Sequence, residues 1–82
     1  MVKVFSIYDS KAEVYSNPVF IRTKGEAIRG LAECVNNSDH HYGRHSEDFT
    51  LFEIGEWDDL TGTFMPYQAK ISICNLKELI EL

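Results

Sequence analysis

This 82-residue sequence is poor in cysteine and proline and contains no long apolar run. Its two cysteines, Cys34 and Cys74, lie far apart and follow no metal-ligand spacing. A secreted protein of this size usually carries more cysteines, so we expect two reduced thiols. No apolar segment approaches the roughly 20 residues of a membrane span, and the start of the chain lacks the apolar core of a signal peptide. These absences predict a cytoplasmic protein without a membrane partner.

The length fits one domain, residues 1–82, and leaves no room for two. A domain of this size buries only about 60% of the surface that its unfolded chain exposes. The hydrophobic content of 44% is sufficient for a core without a metal ion or disulfide bonds, and no motif indicates a cofactor. Association with a second copy would bury further apolar surface, and we therefore expect a homodimer.

Charge is distributed unevenly along the chain, whose formal net charge is −5. Residues 1–45 carry six basic and five acidic side chains, whereas residues 46–82 carry two basic and eight acidic ones, so the net charges are +1 and −6. The overall field of such a protein does not attract phosphates. Any contact with nucleic acid must come from a local patch, and most of the basic residues lie in the first half.

Apolar alternation predicts two strands in the first part of the chain, over residues 2–8 and residues 19–21. Residues 12–16 either extend the first strand or form an irregular link. A helix begins at Thr23, because Thr23 and Glu26 have the spacing of a capping box. Gly30 weakens this helix by up to about 1 kcal/mol relative to alanine. Either the close approach of another backbone or simple sequence drift would explain why a glycine is present there.

Residues 47–64 contain the strongest strand pattern, followed by a polar turn at residues 58–62. The adjacent large residues Leu51 and Phe52 break the alternation, so either both faces are covered or a bulge shifts the phase, for which Gly55 is a candidate. The returning strand is predicted to end at Pro66, before a further alternating segment.

Asn75 begins a short C-terminal helix with Leu76, Leu79 and Ile80 directed inward. The predicted fold class is therefore α+β. It has a small antiparallel sheet of about four strands in the order β-β-α-β-β-α, with one main helix and a short C-terminal helix.

All three histidines lie in a polar segment, residues 37–46, which we predict to be a loop. Histidine and tyrosine rings can stack on bases, and an arginine can bind a phosphate. Basic residues near the predicted helix start lie where exposed amides favour anions. If both sets lie on one side of the domain, or on facing sides of a dimer, they form a patch suited to single-stranded nucleic acid. The alternative is an ordinary solvated surface. The candidate residues are Arg22, Lys24, Arg29, His40, His41, Tyr42, Arg44 and His45.

The histidine spacing matches no zinc signature, and no metal site is predicted. The carboxylates of the second half have no converging histidine for acid–base catalysis. Phosphate-binding glycine loops, C-x-x-C motifs and nucleophile elbows do not occur, so we expect no enzyme activity. The acidic residues of the strand and turn form either a solvated edge or a docking surface for a basic protein: Glu53, Glu56, Asp58 and Asp59.

Four segments carry a family resemblance: residues 1–9, Asn17-Pro18-Val19-Phe20, the helix of residues 23–36, and the acid-rich strand of residues 46–64 with its D-x-x-T-G turn. Together they resemble the small nonstructural protein of gokushoviruses, single-stranded DNA phages of the Microviridae. The resemblance implies a nonstructural protein of the host cytoplasm that acts in viral DNA replication, with no catalytic motif to transfer. We therefore expect a nonenzymatic protein that binds DNA in its single-stranded form. The alternative is an adaptor that regulates the replication initiator, a host replication factor or procapsid assembly through its acidic surface.

Overall fold

The computed structural model describes residues 1–81 and has the predicted α+β fold. One antiparallel sheet contains five strands: β1 (Val2–Asp9), β2 (Val14–Tyr15), β3 (Val19–Ile21), β4 (Phe49–Asp58) and β5 (Thr63–Asn75). The helical elements are α1 (Lys24–Val35), α2 (His41–Arg44) and two 3₁₀ turns, Ser46–Asp48 and Leu76–Leu79. The segment left open by the sequence, residues 12–16, contains the short strand β2.

Strand β1 lies in the middle of the sheet, between β4 on one side and both β2 and β3 on the other. Between the two short strands, Ser16 continues the hydrogen bonding to β1. Its backbone N–H donates to the carbonyl of Ile7 over 2.8 Å, and its hydroxyl accepts from the Ile7 N–H over 2.9 Å. The central position of β1 explains why both of its faces carry apolar residues.

The predicted irregularities of β4 are present. Ile54 has no partner on β1, because Gly55 pairs with Val4 and Glu53 with Phe5. Between β4 and β5 the register shifts at two places, one of them between Leu51 and Phe52 and the other between Glu53 and Gly55. Each shift changes which face the following side chains occupy.

Pro66 does not end the returning strand, contrary to the prediction. Strand β5 runs through it as one element of 13 residues. Because β5 is an edge strand, it needs hydrogen-bond donors on only one side, and a proline is tolerated there.

The core lies between one face of the sheet and the helical elements. Helix α1 contributes Ala27, Leu31 and Val35. The sheet and the C-terminal turn supply the other buried members, Phe5, Ile7, Phe49, Leu51 and Leu76. As predicted, the Thr23 hydroxyl caps α1 by accepting from the Glu26 N–H over 3.1 Å. A Cβ on Gly30 would have no neighbour within 4 Å among residues 1–81, so close approach of another described segment does not explain that glycine.

Two local predictions are wrong. The histidine segment is not simply a loop, since His41–Arg44 form one turn of α-helix that packs beside α1. At the C-terminal end Leu76 is buried and Leu79 packs on the core, but Ile80 is 42% exposed. The Leu76–Leu79 turn is 3₁₀ and ends before Ile80, which therefore does not reach the core. Its predicted Asn75 cap is present as a complete capping box with Glu78.

Candidate nucleic-acid interface

The sheet face opposite α1 carries a set of aromatic side chains. On β1, Phe5 and Ile7 belong to the core, so the residues that alternate with them from Val2 to Tyr8 lie on the other face. Residues paired directly across antiparallel strands share a face. Most partners of this alternating set are aromatic: Trp57 opposite Val2, Phe20 opposite Val4, Phe52 opposite Ser6 and Tyr15 opposite Tyr8. Phe64 on β5 in turn lies opposite Trp57. We call Tyr8, Tyr15, Phe20, Phe52, Trp57 and Phe64 the aromatic face.

The rings of the aromatic face contact one another in two groups. Tyr15 lies between Tyr8 and Phe52, with ring centroids 4.7 and 5.7 Å away. Phe20 and Trp57 meet edge to face, with centroids 5.5 Å apart and planes at 82°. These distances lie within the range of favourable aromatic pairs, so the rings hold one another in place.

The aromatic rings cover the residues beneath them while remaining open to solvent themselves. Val4 and Ser6 are buried, although they lie on the face opposite the core. A Cβ on Gly55 would lie 2.8 Å from the Phe64 ring, which places that ring directly over the glycine. Tyr15, Phe20 and Phe64 stay exposed, Phe20 by 50%. The result is an exposed ring surface on a sheet, the arrangement on which single-stranded nucleic acids stack.

Positive and negative side chains of the sheet lie on opposite faces near the aromatic face. Lys70 lies over the Tyr15 ring, with its Nζ 5.3 Å from the ring centroid, and Arg22 follows β3 two residues after Phe20. Glu53 and Glu56 pair with Phe5 and Lys3, so these carboxylates lie on the helix side. The aromatic face thus escapes much of the acidic excess of the second half.

A family model described as Phage ORF5 protein matches residues 2–79. The chain belongs to this phage ORF5 protein family. No curated protein and no solved structure matches it significantly.

In this ORF5 protein the rings of the predicted histidine segment pack largely against one another and against the core. The His40 and His41 rings stack with centroids 4.6 Å apart, and His40 Nδ1 accepts from the Tyr42 N–H over 3.1 Å. The Tyr42 ring meets the buried Phe49 edge to face at 4.8 Å. Burial raises the pKa of the Tyr42 hydroxyl. Tyr42 is therefore a packing residue, although His41 remains exposed.

The basic members of the predicted patch are exposed but lie apart. Arg44 Nη1 donates to the carbonyl of Asp39 over 3.0 Å, and His45 follows α2. Arg22 and Lys24 lie at the start of α1, whereas the histidines lie beyond its end. Helix α1 has 12 residues and is therefore about 18 Å long at 1.5 Å per residue. This length separates the basic residues at its start from the histidines beyond its end.

Arg29 lies between these groups, beside Glu33 and Asn36 in a shallow hollow. The predicted residues thus form separate groups, and the binding role of each stays a prediction.

The predicted acidic surface is also divided. Glu53 is buried, which removes it from any docking surface. Glu56 is half-buried and Asp59 exposed, 3.7 Å from the N-terminal ammonium of Met1. The Asp58 carboxylate accepts from the Leu60 N–H over 3.0 Å, and this hydrogen bond lowers the Asp58 pKa. Asp58 therefore helps to form the hairpin turn.

Sequence reasoning did not find the aromatic face. The signal in the sequence was the adjacent pair of large residues Leu51 and Phe52, for which a covered second face and a bulge were both open explanations. What the pattern did not show is that the two short strands β2 and β3 bring Tyr15 and Phe20 to the same side as Phe52.

The described residues, 1–81, contain no cluster of three or more His, Cys, Asp or Glu side chains that could hold a metal ion. Within that same range no helix is long and apolar enough to cross a membrane.

Proposed function

We propose that this ORF5 protein is a nonenzymatic single-stranded DNA-binding protein that acts in phage genome replication in the host cytoplasm. The observation that carries the proposal is the exposed aromatic face with Lys70 at its side. The sequence resemblance to the nonstructural protein of gokushoviruses supports a role in the replication of a single-stranded genome.

Stacking suits this protein better than phosphate binding does. Each base stacked on an aromatic side chain contributes about 1–3 kcal/mol, with little dependence on sequence. A protein of net charge −5 gains little from long-range attraction to phosphates. Single strands expose their base faces, whereas duplex DNA hides them in the stack. The aromatic face therefore favours single-stranded DNA over duplex.

The test is an equilibrium titration of a fluorescently labelled oligothymidylate, with the same labelled strand in duplex form as a comparison. Trp57 belongs to the aromatic face, so its fluorescence provides a second readout. Tyr15→Ala and Phe20→Ala each remove an exposed ring, and we expect each to weaken binding about fivefold or more. Ile71→Ala is the matched control, because Ile71 is exposed on β5 but pairs with Glu53 on the other face.

Salt-sensitive binding that Arg44→Ala or Tyr42→Ala weakens, with Tyr15→Ala neutral, would place the site on the histidine segment instead. Absence of binding at micromolar protein and low salt would contradict DNA binding altogether. It would favour the adaptor role, for which Asp59 is exposed and Glu56 and Asp58 are half-buried.

A further inference from the structure

An apolar groove of about 360 Å³ separates α1 from the short strand β3. It is much larger than a void of about 150 Å³, which already accommodates a benzene ring. Most of its lining is aliphatic or aromatic, including Ile7, Val19, Ile21, Ala27, Leu31 and Leu51. A well-packed core leaves few voids of this size, so the groove is a place where a further apolar side chain can insert.

The groove stays open because the α1 residues beside it are small. Gly30 has no side chain, and a Cβ there would have no neighbour within 4 Å. Ala27 is one turn earlier on the same side of the helix. Opposite α1, Val19 lines the groove and is itself 46% exposed. The opening is therefore accessible from solvent.

The chain also presents a side chain of the kind that fits this groove. Leu60, in the turn between β4 and β5, is 93% exposed, so almost all of its apolar surface is open to solvent. The turn around it is ordered by hydrogen bonds to Asp58: the carboxylate accepts from the Leu60 N–H, and the carbonyl accepts from the Gly62 N–H over 2.7 Å. Leu60 is thus a pre-formed apolar projection.

The surroundings of the projection and of the groove carry opposite charges. Asp58 and Asp59 precede Leu60. Arg22 and Lys24 lie between Ile21 and Ala27, two residues that line the groove, and within residues 1–81 neither forms a salt bridge. Glu26 follows them, but the positive end of α1 adds to the attraction for an acidic partner.

One end of the groove lies towards the turn. Trp57, just before the turn, pairs with Val2, and Ile21, at the end of the groove, pairs with Lys3. A two-fold axis at this end lets each of two copies present its turn to the groove of the other, as a closed dimer requires. We propose that the groove binds Leu60 of a second copy and that this reciprocal contact forms a homodimer. The proposal does not depend on DNA binding.

The test is sedimentation equilibrium of the full chain over a range of protein concentrations. We expect a dimer for the unmodified chain and a dissociation constant about a hundredfold higher for Leu60→Ser, because one buried leucine is lost from each of two contacts. Gly30→Leu fills the groove from inside and should weaken the dimer in the same way. Ile80→Ser, which changes an exposed apolar residue elsewhere, should leave it unchanged.

A charge exchange tests the orientation of the contact. Asp59→Lys and Lys24→Glu should each weaken the dimer, and the double variant Asp59→Lys/Lys24→Glu should recover most of the loss. Circular dichroism confirms that each variant is folded. A monomer at all concentrations, or a dimer indifferent to Leu60→Ser and Gly30→Leu, would overturn the proposal.

Discussion

The phenolic hydroxyl of Tyr67 donates a hydrogen bond of 2.5 Å to Oε2 of Glu53, a residue that is only 6% exposed. Lys3 Nζ lies 3.2 Å from the same oxygen. A buried carboxylate is stable only when it is paired and hydrogen-bonded. Tyr67 from β5 and Lys3 from β1 therefore supply the partners that allow β4 to place an acid inside the sheet.

Tyr67→Phe removes one of these partners while keeping the ring. We expect the free energy of unfolding at neutral pH to fall by about 1 kcal/mol, the usual contribution of such a bond when it is partly open to solvent. Urea unfolding measures the loss. Tyr15→Phe is the control, since the Tyr15 hydroxyl has no hydrogen bond within residues 1–81. An equal loss in both variants would show that the Glu53 contact adds nothing.

The same bond makes stability depend on alkaline pH. The hydrogen bond to Glu53 raises the pKa of Tyr67 to about 12 from an ordinary value of 10.0. The unfolded chain therefore releases this proton first as the pH rises, and stability falls between pH 10 and 12. The stability difference between the unmodified chain and Tyr67→Phe should be full below pH 10 and shrink above it. A difference that stays constant up to pH 12 would contradict the assignment.

Gly55→Ala should destabilise the protein, because the new Cβ would lie 2.6 Å from the Met65 carbonyl oxygen and 2.8 Å from the Phe64 ring. Overpacking of this kind costs about 1–3 kcal/mol, which thermal or urea unfolding will measure. Gly30→Ala should instead stabilise the protein, because nothing lies within 4 Å of the new Cβ. Alanine favours the helix over glycine by up to about 1 kcal/mol. If both substitutions changed the free energy of unfolding in the same direction, this account would be wrong.

Asn36 attaches the C-terminal segment to α1, and Asn36→Ala should release it. Its amide nitrogen donates to the Leu79 carbonyl over 2.9 Å, and its amide oxygen accepts from the Glu81 N–H over 2.8 Å. Hydrogen exchange at Glu81 should become faster, with protection in β1 retained. Asn37→Ala is the matched control, because within residues 1–81 the Asn37 side chain accepts only from the nearby Asp39 N–H. Unchanged exchange at Glu81 in Asn36→Ala would refute the attachment.

The parts of the fold that the sequence predicts are those set by local chemistry. Thr23 and Asn75 cap the elements that follow them, and alternation identifies β1 and the later part of β5, because these signals involve residues close in the chain. Ile80 does not reach the core because the 3₁₀ turn ends before it, whereas the wrong prediction at Pro66 has a non-local cause. Whether Pro66 ends a strand depends on which strand forms the edge of the sheet, and pairing between distant segments decides that.

The candidate site shows the same limit more strongly. Aromatic and basic residues grouped in sequence, from His40 to Arg44, suggested a binding patch, but tertiary packing turns Tyr42 toward Phe49. The aromatic face is assembled from strands far apart in the chain. Its members become neighbours only through the pairing of β1 with β2, β3 and β4, which the sequence alone does not specify.

The salt dependence of DNA binding provides the sharpest test of which face is used. For single strands the logarithm of the binding constant falls with the logarithm of salt concentration by about 0.7 per phosphate neutralised. The aromatic face has Lys70 over Tyr15 and Arg22 beyond Phe20, so we expect a shallow slope between about −1 and −2.

Lys70→Ala should reduce the magnitude of this slope by about 0.7 and lower the affinity at low salt, with most of the stacking retained. Lys77→Ala is the control, because Lys77 is exposed on the C-terminal 3₁₀ turn. Titrations of labelled oligothymidylate at four or more salt concentrations, about evenly spaced on a logarithmic scale, give the slopes. A steep slope that Lys70→Ala leaves unchanged would mean that the phosphates bind elsewhere, and the aromatic face would then not be the DNA site.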